Sequence, residues 1–154
     1  MPRNAGHAIV KRKEAQMKTI LVCYEERPMT ARVVERSAEL VKALGAKLIV
    51  TSVAPVMGYA ARGVGPFDPT DPPARHAEEL EDAAARFAEL GVTDVETVTG
   101  VGEAAGAILD LAAERAVDLI VLGAHDGGAI SRVIGGSVSD RVAHKARADV
   151  LIVH

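Results

Sequence analysis

A chain of 154 residues, 49% of them hydrophobic, is long enough for one domain with a substantial core and short for two. Its formal net charge of −3 provides no general pull toward nucleic acid or acidic lipid, and a single cysteine, Cys23, excludes an internal disulfide and a cysteine-built metal cluster. No uncharged apolar run approaches the ~18 residues of a membrane span, and the first residues lack a continuous apolar leader, so a cytoplasmic chain with neither membrane nor nucleic acid as partner is expected.

Residues 1–16 place Arg3, Lys11, Arg12 and Lys13 among small and polar residues and read as a flexible N-terminal extension, with one folded domain over 17–154. Thr19 to Tyr24 is β-rich and apolar on both faces, the pattern of a central strand covered from both sides. From Thr30 to Leu44, Val34, Ala38, Val41 and Leu44 recur at helical spacing, and Gly45 follows as a cap. Lys47 to Val53 predicts a second strand. The stretch from Val56 to Pro73 holds three glycines and four prolines, which predicts a loop.

Helical spacing returns with Leu80, Ala84, Phe87 and Leu90 and stops at Gly91. A short β-rich segment, Val95 to Thr99, precedes a third helix marked by Ile108, Leu111 and Ala112. Leu119 to Leu122 then reads as a buried strand that runs directly into Gly123, where the backbone is free to take positive φ or to approach a ligand closely. Gly135, Gly136 and Ser137 open a last helix with Val138, Val142 and Ala146 on its apolar face, and Val150 to Val153 forms the final strand.

Strands that are apolar on both faces and alternate with helices argue for an α/β fold with a parallel, doubly wound sheet. In such sheets ligands sit beyond the carboxyl ends of the strands, where the strand order reverses. With the first and fourth strands as central neighbours, Tyr24, Glu25, Gly123, Ala124, His125 and Asp126 line that crevice. The free N–H groups and positive dipole end of the helix opened by Gly136 and Ser137 point at the same loop, which suits phosphate.

Four segments in this order, KTILVCYEE, LGAKLIVTSV, TGVGEAAGAILDLAAERAVDLIVLGAHD and GGSVSDRVAHKARADVLIVH, resemble the universal stress protein family over Met17 to His154. The resemblance implies a five-stranded Rossmann-like sheet in order 3-2-1-4-5 with helices on both faces, and homodimers paired through the last strand, here Val150 to Val153. The family's nucleotide-binding branch carries Gly-x2-Gly-x9-Gly-Ser/Thr. Gly123, Gly136 and Ser137 occupy the first, third and fourth positions, whereas Asp126 stands at the second; Glu25 stands where the family's first strand usually ends in aspartate. By that resemblance an ATP site, with Mg or Mn as an associated cation, is expected at Cys23, Tyr24, Glu25, Val53, Leu122, Gly123, His125, Asp126, Gly136, Ser137, Val138 and Ser139.

The departures bear on the chemistry. Glu25 retains an acceptor for a ribose hydroxyl, with its carboxylate displaced by roughly a bond length. A carboxylate at Asp126 within ~5 Å of a phosphate repels it by about 1 to 3 kcal/mol at effective dielectrics between water and a protein surface. Against that stand the tolerance of Asp for left-handed backbone, the flexibility of Gly127 and Gly128, and the capacity of a divalent cation to bridge Asp126 to phosphate.

For the other chemistry-bearing residues the plain readings weigh more. His125 reads as a solvated loop side chain, Cys23 as a core thiol, the run Glu78, Glu79, Glu81 and Asp82 as a solvated helix face, and Arg141, Lys145 and Arg147 as ordinary cations toward a helix C-terminus. No Walker lysine, catalytic triad or paired metal carboxylates are recognisable, so no catalytic or metal-ligating residue is assigned. Three functions stay open: a homodimeric ATP-binding regulatory module of the stress response, a nucleotide-free dimeric interaction protein of the same fold, and a weak ATP hydrolase. If Asp126 repels phosphate, Asp126→Gly tightens ATP binding about tenfold or more; unchanged affinity in a calorimetric titration would refute the repulsion.

Overall fold

The computed structural model describes residues 16–56, 67–124 and 137–154. Their centre is β1 (Thr19–Cys23), whose Ile20, Leu21 and Val22 are each 0% exposed. On one side β1 pairs in parallel with β2 (Lys47–Ala54), and on the other with β4 (Leu119–Gly123), so Leu21 lies between Ile49 and Ile120. The outer strands β3 (Val95–Val101) and β5 (Asp149–Val153) complete a parallel sheet in the order β3-β2-β1-β4-β5, the order implied by the resemblance.

Alternation along each strand divides the core in two. Ile20, Val22, Leu48, Val50 and Val121 pack against α1 (Thr30–Leu44) and α2 (Pro73–Glu89) through Val34, Ala38, Leu80 and Phe87. Leu21, Ile49 and Ile120 face the other way, onto α3 (Ala104–Glu114) and α4 (Val138–Lys145) through Ile108, Leu111 and Val142. Continuous apolar runs in the strands therefore satisfy both helical layers, and each helix needs only one apolar stripe.

Local chemistry sets the ends of these elements. Gly45 ends α1 with φ +62° and its N–H donates to the Val41 carbonyl, a conformation that costs a residue with a Cβ more. Pro73 opens α2 at a position where a missing N–H loses no helical hydrogen bond, which places the helix one residue into the predicted loop. Of the rest of that loop, 57–66 lies outside the described residues, and its flanks Val56 and Phe67 meet in an antiparallel bridge. At the other edge, β3 runs on to Val101 instead of stopping at Thr99. Gly100 pairs with Val53, and a Cβ there would lie 3.0 Å from Val53 Cγ2, so the glycine permits close strand approach.

Two polar clamps set register between elements. The Asp118 carboxylate accepts the backbone N–H groups of Lys18 and Thr19, at 2.8 and 2.9 Å, and so ties the start of β1 to that of β4. On β3, Glu96 pairs with Lys47 of β2 at 2.7 Å and with Arg115, just after α3, at 2.6 Å. Residues 1–15, assigned above to an extension, lie outside the described residues, whereas Met17 packs against the α1 and α2 core.

Candidate functional site

From β1 the chain passes through α1 to β2, and from β4 through α4 to β5, over the opposite face. These divergent connections leave a crevice at the carboxyl ends of β1 and β4, with a volume of about 280 Å³. Nine of the expected residues line it: Cys23, Tyr24, Glu25, Val53, Leu122, Gly123, Ser137, Val138 and Ser139. His125, Asp126 and Gly136 lie outside the described residues.

Ser137 is the N-cap of α4, its Oγ accepting the Asp140 N–H at 3.3 Å and lying 2.9 Å from Ser139 Oγ. Two hydroxyls and the first N–H groups of a helix thus meet at one wall of the crevice, a polar group suited to an anion. The lining also carries apolar side chains from Val53, Ile108 and Leu122. Gly123 does not take positive φ; a Cβ there would lie 3.3 Å from Val33 Cγ2 and 3.4 Å from Met29 Cγ, so the glycine makes room for the start of α1.

Segment 24–30 shapes the remaining wall. The Thr30 hydroxyl accepts the Arg27 N–H at 2.9 Å and donates to the Glu25 carbonyl, and the Thr30 N–H donates to the Arg27 carbonyl at 3.0 Å. Glu25, expected to face a ribose, has its carboxylate 2.7 Å from Arg27 Nε, with both side chains substantially exposed. Tyr24 borders the crevice, but its ring belongs to the α1 and α2 core and its hydroxyl donates to Asp82 Oδ2 at 2.9 Å. Burial and that hydrogen bond hold the phenol well above its usual value of 10.0. Burial, reinforced by the Glu25 carboxylate, likewise pushes the Cys23 thiol up, so it serves as neutral wall and not as a thiolate.

Several residues read as plain surface are engaged. Asp82 binds Tyr24 and Arg86, and Arg86 also reaches Glu26 at 3.2 Å. Glu79 accepts the hydroxyl of buried Ser52 at 3.0 Å, beside His76 Nδ1 at 2.6 Å. Arg141, expected to be an ordinary helix cation, forms a two-pronged pair with Glu103, whose carboxylate also caps α3 by accepting the Ala105 and Gly106 N–H groups at 3.2 and 2.8 Å. Helical spacing shows which face of a helix is apolar, but not which neighbouring element meets its polar face.

Sequence reasoning missed Arg27, Met29, Thr30, Val33, Thr51, Ala104 and Ile108 in the lining. The signal for Arg27 to Thr30 was their place between the end of β1 and the first turn of α1, since that connection must border a crevice at the switch point. Among the described residues, no three His, Cys, Asp or Glu side chains are grouped to hold a metal ion, and no helix is long and apolar enough to cross a membrane.

The universal stress protein family model matches residues 17–154. Universal stress protein Rv1636 of Mycobacterium tuberculosis is 31% identical over 150 residues, covering 89% of this chain and 96% of that protein. Its crystal structure matches with a TM-score of 0.58 and 34% identity over 89% of this chain and 94% of that one. A crystal structure of a universal stress protein in complex with cAMP matches with a TM-score of 0.71 and 29% identity, covering 91% of this chain and 98% of the other.

Hydrogen bonds from Gly106 and Ala105, together with Arg141, hold the Glu103 carboxyl below its ordinary value of 4.5. A lowered folded-state value means that this contribution to stability is present above pH 4.5 and is lost as the pH falls through the folded value. Glu103→Gln is therefore expected to lose stability at pH 7 and to lose less than the wild type between pH 7 and pH 3; parallel urea denaturation curves at both pH values would contradict it.

Proposed function

The chain belongs to the universal stress protein family, and from that membership we propose that its crevice binds an adenine nucleotide, ATP foremost. The observation that carries this reading is the pairing of the Ser137 and Ser139 hydroxyls at the N-terminus of α4 with apolar walls from Val53, Ile108 and Leu122 in one crevice. A planar base suits the apolar walls, and phosphate suits the helix start. The cAMP held by the related protein of 29% identity supports the same ligand class. Asp126 would be the residue to hold Mg or Mn, a cation that would offset phosphate charge.

The proposed output is regulatory: occupancy changes the affinity of a homodimer for partners in a cytoplasmic stress response, with binding rather than catalysis as the task. Edge strand β5 supports the dimer, since Leu151 and Ile152 remain partly exposed and an uncovered edge invites pairing.

Isothermal titration with ATP, with and without Mg²⁺ or Mn²⁺, tests the reading. Micromolar affinity is expected, and Ser137→Val is expected to weaken it about tenfold through loss of one hydrogen bond to a charged group. The same variant loses the α4 N-cap, worth about 1 kcal/mol, so circular dichroism must first show that it is folded. No ATP binding by the wild type would favour the nucleotide-free interaction protein, and sedimentation showing only monomer at micromolar concentration would refute the dimer.

A further inference from the structure

We propose that His76 is a proton-sensitive latch: with both ring nitrogens protonated it fastens the turn before α2 to strand β2, and with only one protonated it lets that turn go. The ring, carried by α2, has a side chain 9% exposed. Nδ1 lies 2.6 Å from Ser52 Oγ on β2, and the Ser52 hydroxyl also reaches Glu79 Oε2 at 3.0 Å. Nε2, buried and without a hydrogen bond, faces Asp71 Oδ1 at 2.9 Å.

Three contacts meet here, Asp71 with Nε2, Nδ1 with Ser52, and Ser52 with Glu79. A carboxylate brings no hydrogen to them, the hydroxyl brings one, and a neutral imidazole brings one. Two hydrogens cannot fill three contacts. If Nδ1 carries the ring hydrogen, the bare lone pair of Nε2 meets the Asp71 carboxylate; if Nε2 carries it, Ser52 must turn its own hydrogen to Nδ1, and Glu79 is left without one. The charged ring supplies the third hydrogen. Charge agrees with the count: Arg75, 3.6 Å from Asp71 and 3.7 Å from Glu79, offsets one of the two carboxylates, and a cationic ring offsets the other. Because the ring and Glu79 are largely withdrawn from water, an unfilled contact here costs more than one at the surface. Ser52 is 2% exposed and outside the crevice lining, so the cluster is not a relay for a nucleophile.

Asp71 ends the turn that leads into α2: its N–H donates to the Asp68 carbonyl at 3.1 Å, and Pro72 and Pro73 carry the chain from it into the helix. Its contact with Nε2 joins that turn to the ring, and Ser52 joins the ring to β2 between Thr51 and Val53 of the crevice lining. Histidine changes charge between about pH 5 and 8. The fastened form holds one proton more than the released form, so the latch is closed at the acid end of that range and opens as the pH rises through it.

Amide exchange of the protein without ligand, measured by NMR and expressed relative to the intrinsic rate at each pH, tests the latch. Between about pH 5.5 and about pH 8 the protection of the Asp71 amide is expected to fall about fivefold while the His76 ring-nitrogen shifts report loss of a proton, and Asp71→Asn and His76→Gln are each expected to abolish the fall. Should His76→Gln not fold, Asp71→Asn and the ring shifts of the wild type decide. Protection that does not change with pH in the wild type, or an equal fall in Asp71→Asn, would overturn the proposal. So would a fall with no change at the ring nitrogens, which would place the proton on Asp71 or Glu79.

Discussion

Everything in this fold follows from burying β1 from both sides. Ile20, Leu21 and Val22 have no contact with solvent, and a strand so enclosed must have a hydrogen-bonded neighbour on each edge and a helical layer on each face. Parallel neighbours require crossovers through helices, and the two crossovers that leave the centre of the sheet pass over opposite faces. The crevice is the gap between them. It needs no dedicated residues to exist, because it is what remains when a doubly wound sheet closes around its central strand.

Its walls are held from outside. Thr30 locks the turn after β1, Asp82 and Arg86 anchor that turn to α2 through Tyr24 and Glu26, and Glu103 joins the start of α3 to Arg141 on α4. Among the described residues, the lining carries the Ser137 and Ser139 hydroxyls at the start of α4 and the Glu25 and Arg27 ion pair.

The fold was legible because its strongest signals are local. The apolar run at Leu119 to Leu122, the helical stripe of α1 and the glycine cap at Gly45 each show in a few neighbouring residues, and the structure places them as read except that Leu44, the last residue of the stripe, is exposed. Gly100 and Gly123 were harder. A glycine that permits close packing looks the same in sequence as one that turns the chain, and here the atoms that demand it lie on other elements, Val53 on the neighbouring strand β2 and Val33 and Met29 at the start of α1. Of the lining residues, those next to strand ends were readable from topology, whereas Ala104 and Ile108 enter from α3, whose contribution depends on how that helix packs over β2 and β3.

The sequence by itself determined the order of strands and helices, the two-faced burial of the centre and the glycine and serine positions that mark the crevice, because periodicity and backbone preference are properties of short segments. Only the tertiary structure decided which charges meet. Glu103 reaches Arg141 across 38 residues and Tyr24 reaches Asp82 across 58, and chain separation says nothing of such pairs until the sheet brings their elements together. Even Glu25 and Arg27, two residues apart, owe their pairing at the crevice wall to the turn that Thr30 folds between β1 and α1.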